Sequence, residues 1–135
     1  MGLAGRRAAK EFETNVFPKL KAEIDAVAGF PVPIEVRWDT LTKDETYVAS
    51  WNDAWPKIYF TPMVEAFKSI CADDLGKEAL KGALKKVIVQ DAKDSYSSWW
   101  ATFEGGTLTL DYQFTNVDYV DDRTKVLRET LEKAL

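Results

Sequence analysis

Gly105-Gly106 is the most constraining feature of this chain. A two-residue type I′ hairpin turn needs positive φ at both central positions, and a glycine pair supplies it without steric cost. The flanks, "SYSSWWATFE" and "TLTLDYQF", are rich in aromatic and β-branched residues. A turn at Gly105-Gly106 therefore predicts one register: Glu104 pairs with Thr107, Phe103 with Leu108, Ala101 with Leu110 and Trp99 with Tyr112. Side chains alternate across a strand. Trp99, Ala101, Phe103, Leu108, Leu110 and Tyr112 then share a core face, while Trp100, Thr102, Glu104, Thr107, Thr109 and Asp111 share a solvent face. A slip of one residue would invert both faces. On this reading Trp99 is core, and Trp100 is an aromatic on a polar face beside Asp111.

The remaining patterning predicts a single α+β domain over residues 1–135. Ala9, Phe12, Val16, Leu20, Ile24 and Val27 recur at helical spacing, with an interruption at Pro18 and a stop at Gly29. "PVPIEVRWDT" alternates as a strand, and "ETYVASWN" and "KIYF" read as two more. Thr61-Pro62 opens a helix, and Asp73 or Asp74 caps another whose inward side chains include Leu75, Ala79 and Leu84. "KKVIVQD" and the hairpin form a second group of strands. Asp118 caps a final helix carrying Leu127, Leu131 and Ala134 on its buried stripe. The expected order is α-βββ-αα-βββ-α. Short links between strands predict antiparallel meanders, hence a mainly antiparallel sheet of about six strands with helices packed on one face.

Several chemistries are removed at once. There is no histidine, so the commonest general base and metal ligand is missing. The single Cys71 forbids an internal disulfide and lacks zinc-ligand spacing. It reads as a small apolar residue on a helix face. No apolar run is long enough to span a membrane, and the N-terminal dozen residues lack the apolar segment of a secretory signal. The expected setting is cytoplasmic, with no membrane partner. A pI near 4.9 opposes phosphate binding, so no nucleic acid partner is expected. No glycine-rich phosphate loop or calcium loop is present, and no cofactor or metal is expected.

Two candidate sites compete. Residues 91 to 122 hold Asp91, Asp94, Glu104, Asp111, Asp118, Asp121 and Asp122 against the single base Lys93. Helix capping and solubility account for some of these acids. Together with the outward tryptophan they also define an interaction surface of Trp100, Glu104 and Asp111, suited to a protein partner with a basic surface or to a homodimer. The expectation is a small acidic protein-binding module, inhibitor- or immunity-like in composition alone. The alternative is a histidine-independent enzyme, or a small-ligand or sugar-binding protein. It would use Glu35, Asp39 and Glu45 among Trp38, Trp51, Trp55 and Tyr59, because carboxylates among aromatics can form a sugar cleft. Glu35 and Asp39 lie on the strand face opposite Trp38, which weakens that cleft. No catalytic residue is assigned.

Overall fold

The computed structural model describes residues 2–93, 97–114 and 117–135. A nearly continuous N-terminal helix runs through α1 (Leu3–Glu11), a π-helical turn (Phe12–Val16) and α2 (Phe17–Ala28). Gly29 ends it in the left-handed region at φ 82°. Strand β1 (Ile34–Val36) is followed by a short α3 (Trp38–Leu41) and a 3-10 segment (Glu45–Ser50). Then come α4 (Trp51–Trp55), a π-helical turn (Pro56–Phe60), α5 (Thr61–Ile70) and α6 (Asp74–Ala83). Strand β2 (Lys86–Gln90), a 3-10 turn (Ser97–Trp99), β3 (Ala101–Glu104), β4 (Thr107–Asp111) and α7 (Val120–Ala134) complete the chain.

The chain is α+β, but its sheet is not the expected one. Four strands lie in the order β1-β2-β4-β3. β1 and β4 each pair parallel to β2, and only β3 with β4 is antiparallel. The six-stranded, mainly antiparallel plan is therefore overturned. After β2 the chain crosses to the edge, runs back as β3, and returns through the hairpin as β4 between them. This places β4, whose Leu108 and Leu110 are fully buried, inside the sheet. The less buried β3 is left at the edge.

The first three-strand block fails for a periodic reason. "ETYVASWN" and "KIYF" are helical, although their residue types favour strands. Trp51, Ala54, Trp55, Ile58 and Tyr59 recur at three- and four-residue intervals and are all buried. Ile58, Tyr59 and Phe60 are consecutive and all buried, which a half-buried strand cannot achieve. Trp55 precedes Pro56 yet keeps helical angles, φ −60° and ψ −41°. Its indole packs on Phe12 and stacks on Trp51, with centroids 5.0 Å away in each case. Core packing here outweighs the extended bias of a residue before proline.

The hairpin turn and its inner register hold. Glu104 pairs with Thr107, Phe103 with Leu108, and Ala101 with Leu110, and both glycines have positive φ. One face of the sheet carries Val87, Val89, Leu108 and Leu110, all fully buried beneath the helices. The other face, with Thr102, Glu104, Thr107 and Thr109, is open or half-buried. Asp73 caps α6, its carboxylate accepting from the Gly76 N–H at 2.8 Å. Leu75, expected inward, is 81% exposed. It sits in the first turn of α6, away from the stripe led by Leu80. Ala134, the last residue of α7, is exposed as well. Tyr119 rather than Asp118 occupies the N-cap of that helix.

Candidate functional site

Strands β1, β2 and β4 run parallel, so their carboxyl ends lie along one edge of the sheet. The antiparallel β3 begins at that same edge. The segments after Val36, Gln90 and Asp111 and the turn before Ala101 are thus gathered at one end. In open sheets with parallel strands this end is where ligands characteristically bind.

The floor of this end is a polar network. Arg37 Nη1 donates to Gln90 Oε1 at 2.9 Å, and Gln90 Nε2 donates to Asp111 Oδ2 at 2.9 Å. Asp111 Oδ1 accepts the N–H groups of Ala92 and Lys93 at 3.0 and 3.1 Å. Lys43 Nζ donates to the Asp91 carbonyl at 2.8 Å and lies 3.4 Å from its Oδ1. Thr40 Oγ1 donates to the Arg37 carbonyl and accepts from the Asp91 N–H. These bonds fasten three strand ends together. Asp111 and Asp91 are buried within it. Asp111, expected on the solvent face, fills its acceptor capacity with backbone and amide donors, which is what allows a carboxylate to be buried.

Beside this floor, the two tryptophans exchange the roles expected of them. Trp100 is fully buried and Trp99 is 72% exposed. The pairing of Trp99 with Tyr112 does not form, because the strand starts only at Ala101 and Trp99 ends a 3-10 turn. Without strand geometry, strict alternation no longer applies at this point. The Trp100 ring turns under α7, where Nε1 donates to the Arg123 carbonyl at 3.0 Å and the ring meets Tyr112 edge-on at 6.1 Å. Arg123 itself is fully buried. Its guanidinium lies 4.6 Å from the Tyr112 ring centroid, and its nitrogens donate to the carbonyls of Ile58, Lys57 and Val117. Burial lowers the Arg123 pKa, while its hydrogen bond to Tyr112 opposes that shift. Tyr59 completes the cluster by donating to the Tyr112 carbonyl at 2.6 Å. Burial first, then the nearby Asp91 and Asp111, push its phenol well above the ordinary range.

The interaction surface of Trp100, Glu104 and Asp111 is therefore not a surface, since only Glu104 is exposed. The acids near the hairpin divide similarly. Asp91 and Asp111 are interior, Asp118, Asp121 and Asp122 are exposed, and Asp94 lies outside the described residues, as do the following Ser95 and Tyr96. The alternative cleft is also dispersed. Trp51, Trp55 and Tyr59 are core residues, and Trp38 is half-buried against Phe12, Phe17 and Trp55. Glu35 lies on the open sheet face between Lys86 at 2.8 Å and Arg37 at 2.9 Å. Hydrogen bonds from Lys86 and then Arg37 hold its carboxyl below the ordinary value. Glu45 accepts from the Gly2 N–H at 2.6 Å and, with Asp39, Thr42 and Lys43, borders a shallow cavity of about 550 Å³.

Among the described residues, the exposed large aromatic side chains are Tyr47, Trp99 and Tyr119. Tyr47 stacks on Phe114 at 5.1 Å over a cavity of about 300 Å³ that also touches Ser50, Asp53 and Lys57. Trp99 follows Ser98, which borders a groove of about 300 Å³ against Asp122, Lys125, Val126 and Glu129 of α7. Sequence reasoning missed Trp99 because it extended the ladder past its true start. The Ser97-Ser98 pair was the available warning, since serines favour turns. It also passed over Arg123, which stands four residues before Leu127 on the same apolar stripe.

Among the described residues, no three acidic or thiol side chains converge to hold a metal ion, and no helix is long and apolar enough to cross a membrane. Compared with family models, curated proteins and solved structures, the chain matches none.

Proposed function

We propose that this protein is a binding module, acting in the cytoplasm, that presents Trp99 to a protein partner with a basic surface. The observation that carries this reading is the exposed Trp99 ring on a backbone anchored directly after it. Trp100 is locked to Arg123 immediately after it, and the ladder to β4 begins at the next residue. A tryptophan held in place loses little conformational freedom on binding, which is why such residues serve as anchors. The neighbouring half of α7 contributes Asp121, Asp122 and Glu129 with Lys125, and Asp118 precedes it. An excess of acids beside an aromatic anchor complements a basic partner and speeds its encounter. The network at the strand ends spends Gln90 and Asp111 on fastening the scaffold, which supports binding over catalysis.

A photo-reactive residue at position 99 would capture the partner, and titration of the purified pair would decide. Trp99→Ser should weaken the contact by about 30-fold or more, the loss expected of an anchor residue. The affinity should also fall as salt rises. An unchanged dissociation constant for Trp99→Ser would refute the reading.

A second reading rests on the cavity beneath Tyr47 and Phe114. Its stacked rings, Asp53 and Ser50 form the one described place where a carboxylate and exposed aromatics share a cavity of ligand size. A neutral monosaccharide should then shift the amide resonances of Ser50, Asp53 and Ala54. Unmoved resonances would remove this reading and leave the first in place.

A further inference from the structure

We propose that β3 pairs edge to edge with β3 of a second copy of this chain, antiparallel about Thr102. β3 is an outer strand of the sheet. The Asp111 N–H donates to the Trp100 carbonyl at 2.8 Å, which makes Trp100 and Asp111 a hydrogen-bonded pair. Bonded and non-bonded pairs alternate along an antiparallel ladder. Thr102 and Glu104 therefore direct their backbone groups towards β4, and Ala101 and Phe103 direct theirs outward. These two residues are symmetric about Thr102. A two-fold axis there sets Ala101 opposite Phe103 of the second copy and Phe103 opposite its Ala101, so each pair can exchange two main-chain hydrogen bonds.

The two edges of the sheet are protected unequally. β1 is three residues long, follows Pro31 and Pro33, and carries Glu35 at its centre. Prolines, charges and short length are the usual defences of an edge. β3 is four residues long and ends on Glu104, but it has no proline, no proline precedes it, and its middle is Thr102 and Phe103. Charge does not oppose the contact, because each Glu104 faces Trp100 of the other copy rather than Glu104.

The inference needs only the open edge and is tested on the purified chain alone, so it fails or stands separately from the basic partner.

The pairing places Thr102 opposite itself in a non-bonded pair, where Cα atoms approach to about 4.5 Å, within reach of a disulfide. Under mild oxidation Thr102→Cys should convert to a covalent dimer, while Glu104→Cys should remain monomeric. Cys71 is buried and does not compete. In sedimentation velocity the wild type should show a dimer boundary that Thr102→Lys abolishes, since that exposed side chain makes no contact within its own core. Preferential linkage at position 102 supports the pairing. Equal linkage at 102 and 104, or none, overturns it whether or not the chain self-associates by another surface.

Discussion

Arg123 Nε donates to the Ile58 carbonyl at 3.1 Å, the carbonyl that Pro62 leaves without its helical donor. In an α-helix Ile58 would receive the N–H of residue 62, and proline has none. One residue earlier, the Thr61 N–H bonds to the Pro56 carbonyl across a π turn instead of to Lys57. Arg123 Nη2 lies 3.2 Å from the Lys57 carbonyl. A single buried side chain on α7 thus satisfies the backbone of a helix interrupted about 65 positions upstream. Replacing it with methionine would keep the bulk and strand those carbonyls. An unsatisfied buried polar group costs about 1–3 kcal/mol, so Arg123→Met should lose about 3 kcal/mol or more in urea unfolding. A loss below about 1 kcal/mol would show that the helix closes its own gap.

Trp99 and Trp100 should separate cleanly by mutation. Trp100→Ala removes a fully buried ring and should cost about 3–5 kcal/mol. Trp99→Ser should change stability by less than about 0.5 kcal/mol, as for an ordinary surface position. Acrylamide quenching gives an independent check. The readily quenched part of the emission should vanish in Trp99→Phe and persist in Trp38→Phe.

Asp111 should be a stability residue. Its carboxylate accepts from Gln90, Ala92 and Lys93, and charged hydrogen bonds of this kind contribute about 1.5–3 kcal/mol each. Asp111→Ala should destabilise the chain by about 3 kcal/mol and loosen amide protection at Ala92 and Lys93 in hydrogen exchange. Global destabilisation with protection retained there would place the effect elsewhere.

Alkaline pH should unfold the protein through Tyr59. Its folded pKa lies well above the ordinary 10.0, because burial and two nearby carboxylates disfavour the phenolate. A raised pKa means the native state holds its proton longer than the unfolded chain. The contribution is whole below pH 10 and declines as pH rises towards the folded value. Tyr59→Phe should flatten the alkaline limb of the stability profile, at a cost near neutrality of about 1 kcal/mol for the lost bond to Tyr112. An unchanged alkaline slope would assign it to other groups.

Cys71 should react slowly with thiol reagents in the native state. It is buried at the end of α5, and desolvation raises its pKa, with Lys77 working weakly against the shift. The raised pKa depletes the thiolate, and burial keeps reagents from it. Labelling should accelerate sharply in denaturant. Native labelling at the rate of a free cysteine would contradict the burial.

Local rules were sufficient wherever the chain's conformation depends on its own neighbours. Gly105-Gly106 could close only one kind of turn, and the register from Ala101 to Glu104 followed from it. Asp73 and Gly29 marked helix ends because a side-chain acceptor and a left-handed conformation are local requirements. The lack of histidine excluded its chemistry without any fold. Three matters depended on distant contacts. Trp51, Trp55 and Tyr59 became helical because Phe12 and the core reward one apolar stripe more than local propensity favours strands. β4 lies beside β2 because burying Leu108 and Leu110 among Val87 and Val89 is worth more than a sequential meander. Trp100 turned inward, leaving Trp99 outside, because the Arg123 carbonyl 23 residues away accepts its indole hydrogen. No alternation within residues 95–114 encodes that partner, so which tryptophan faces solvent was decided by α7.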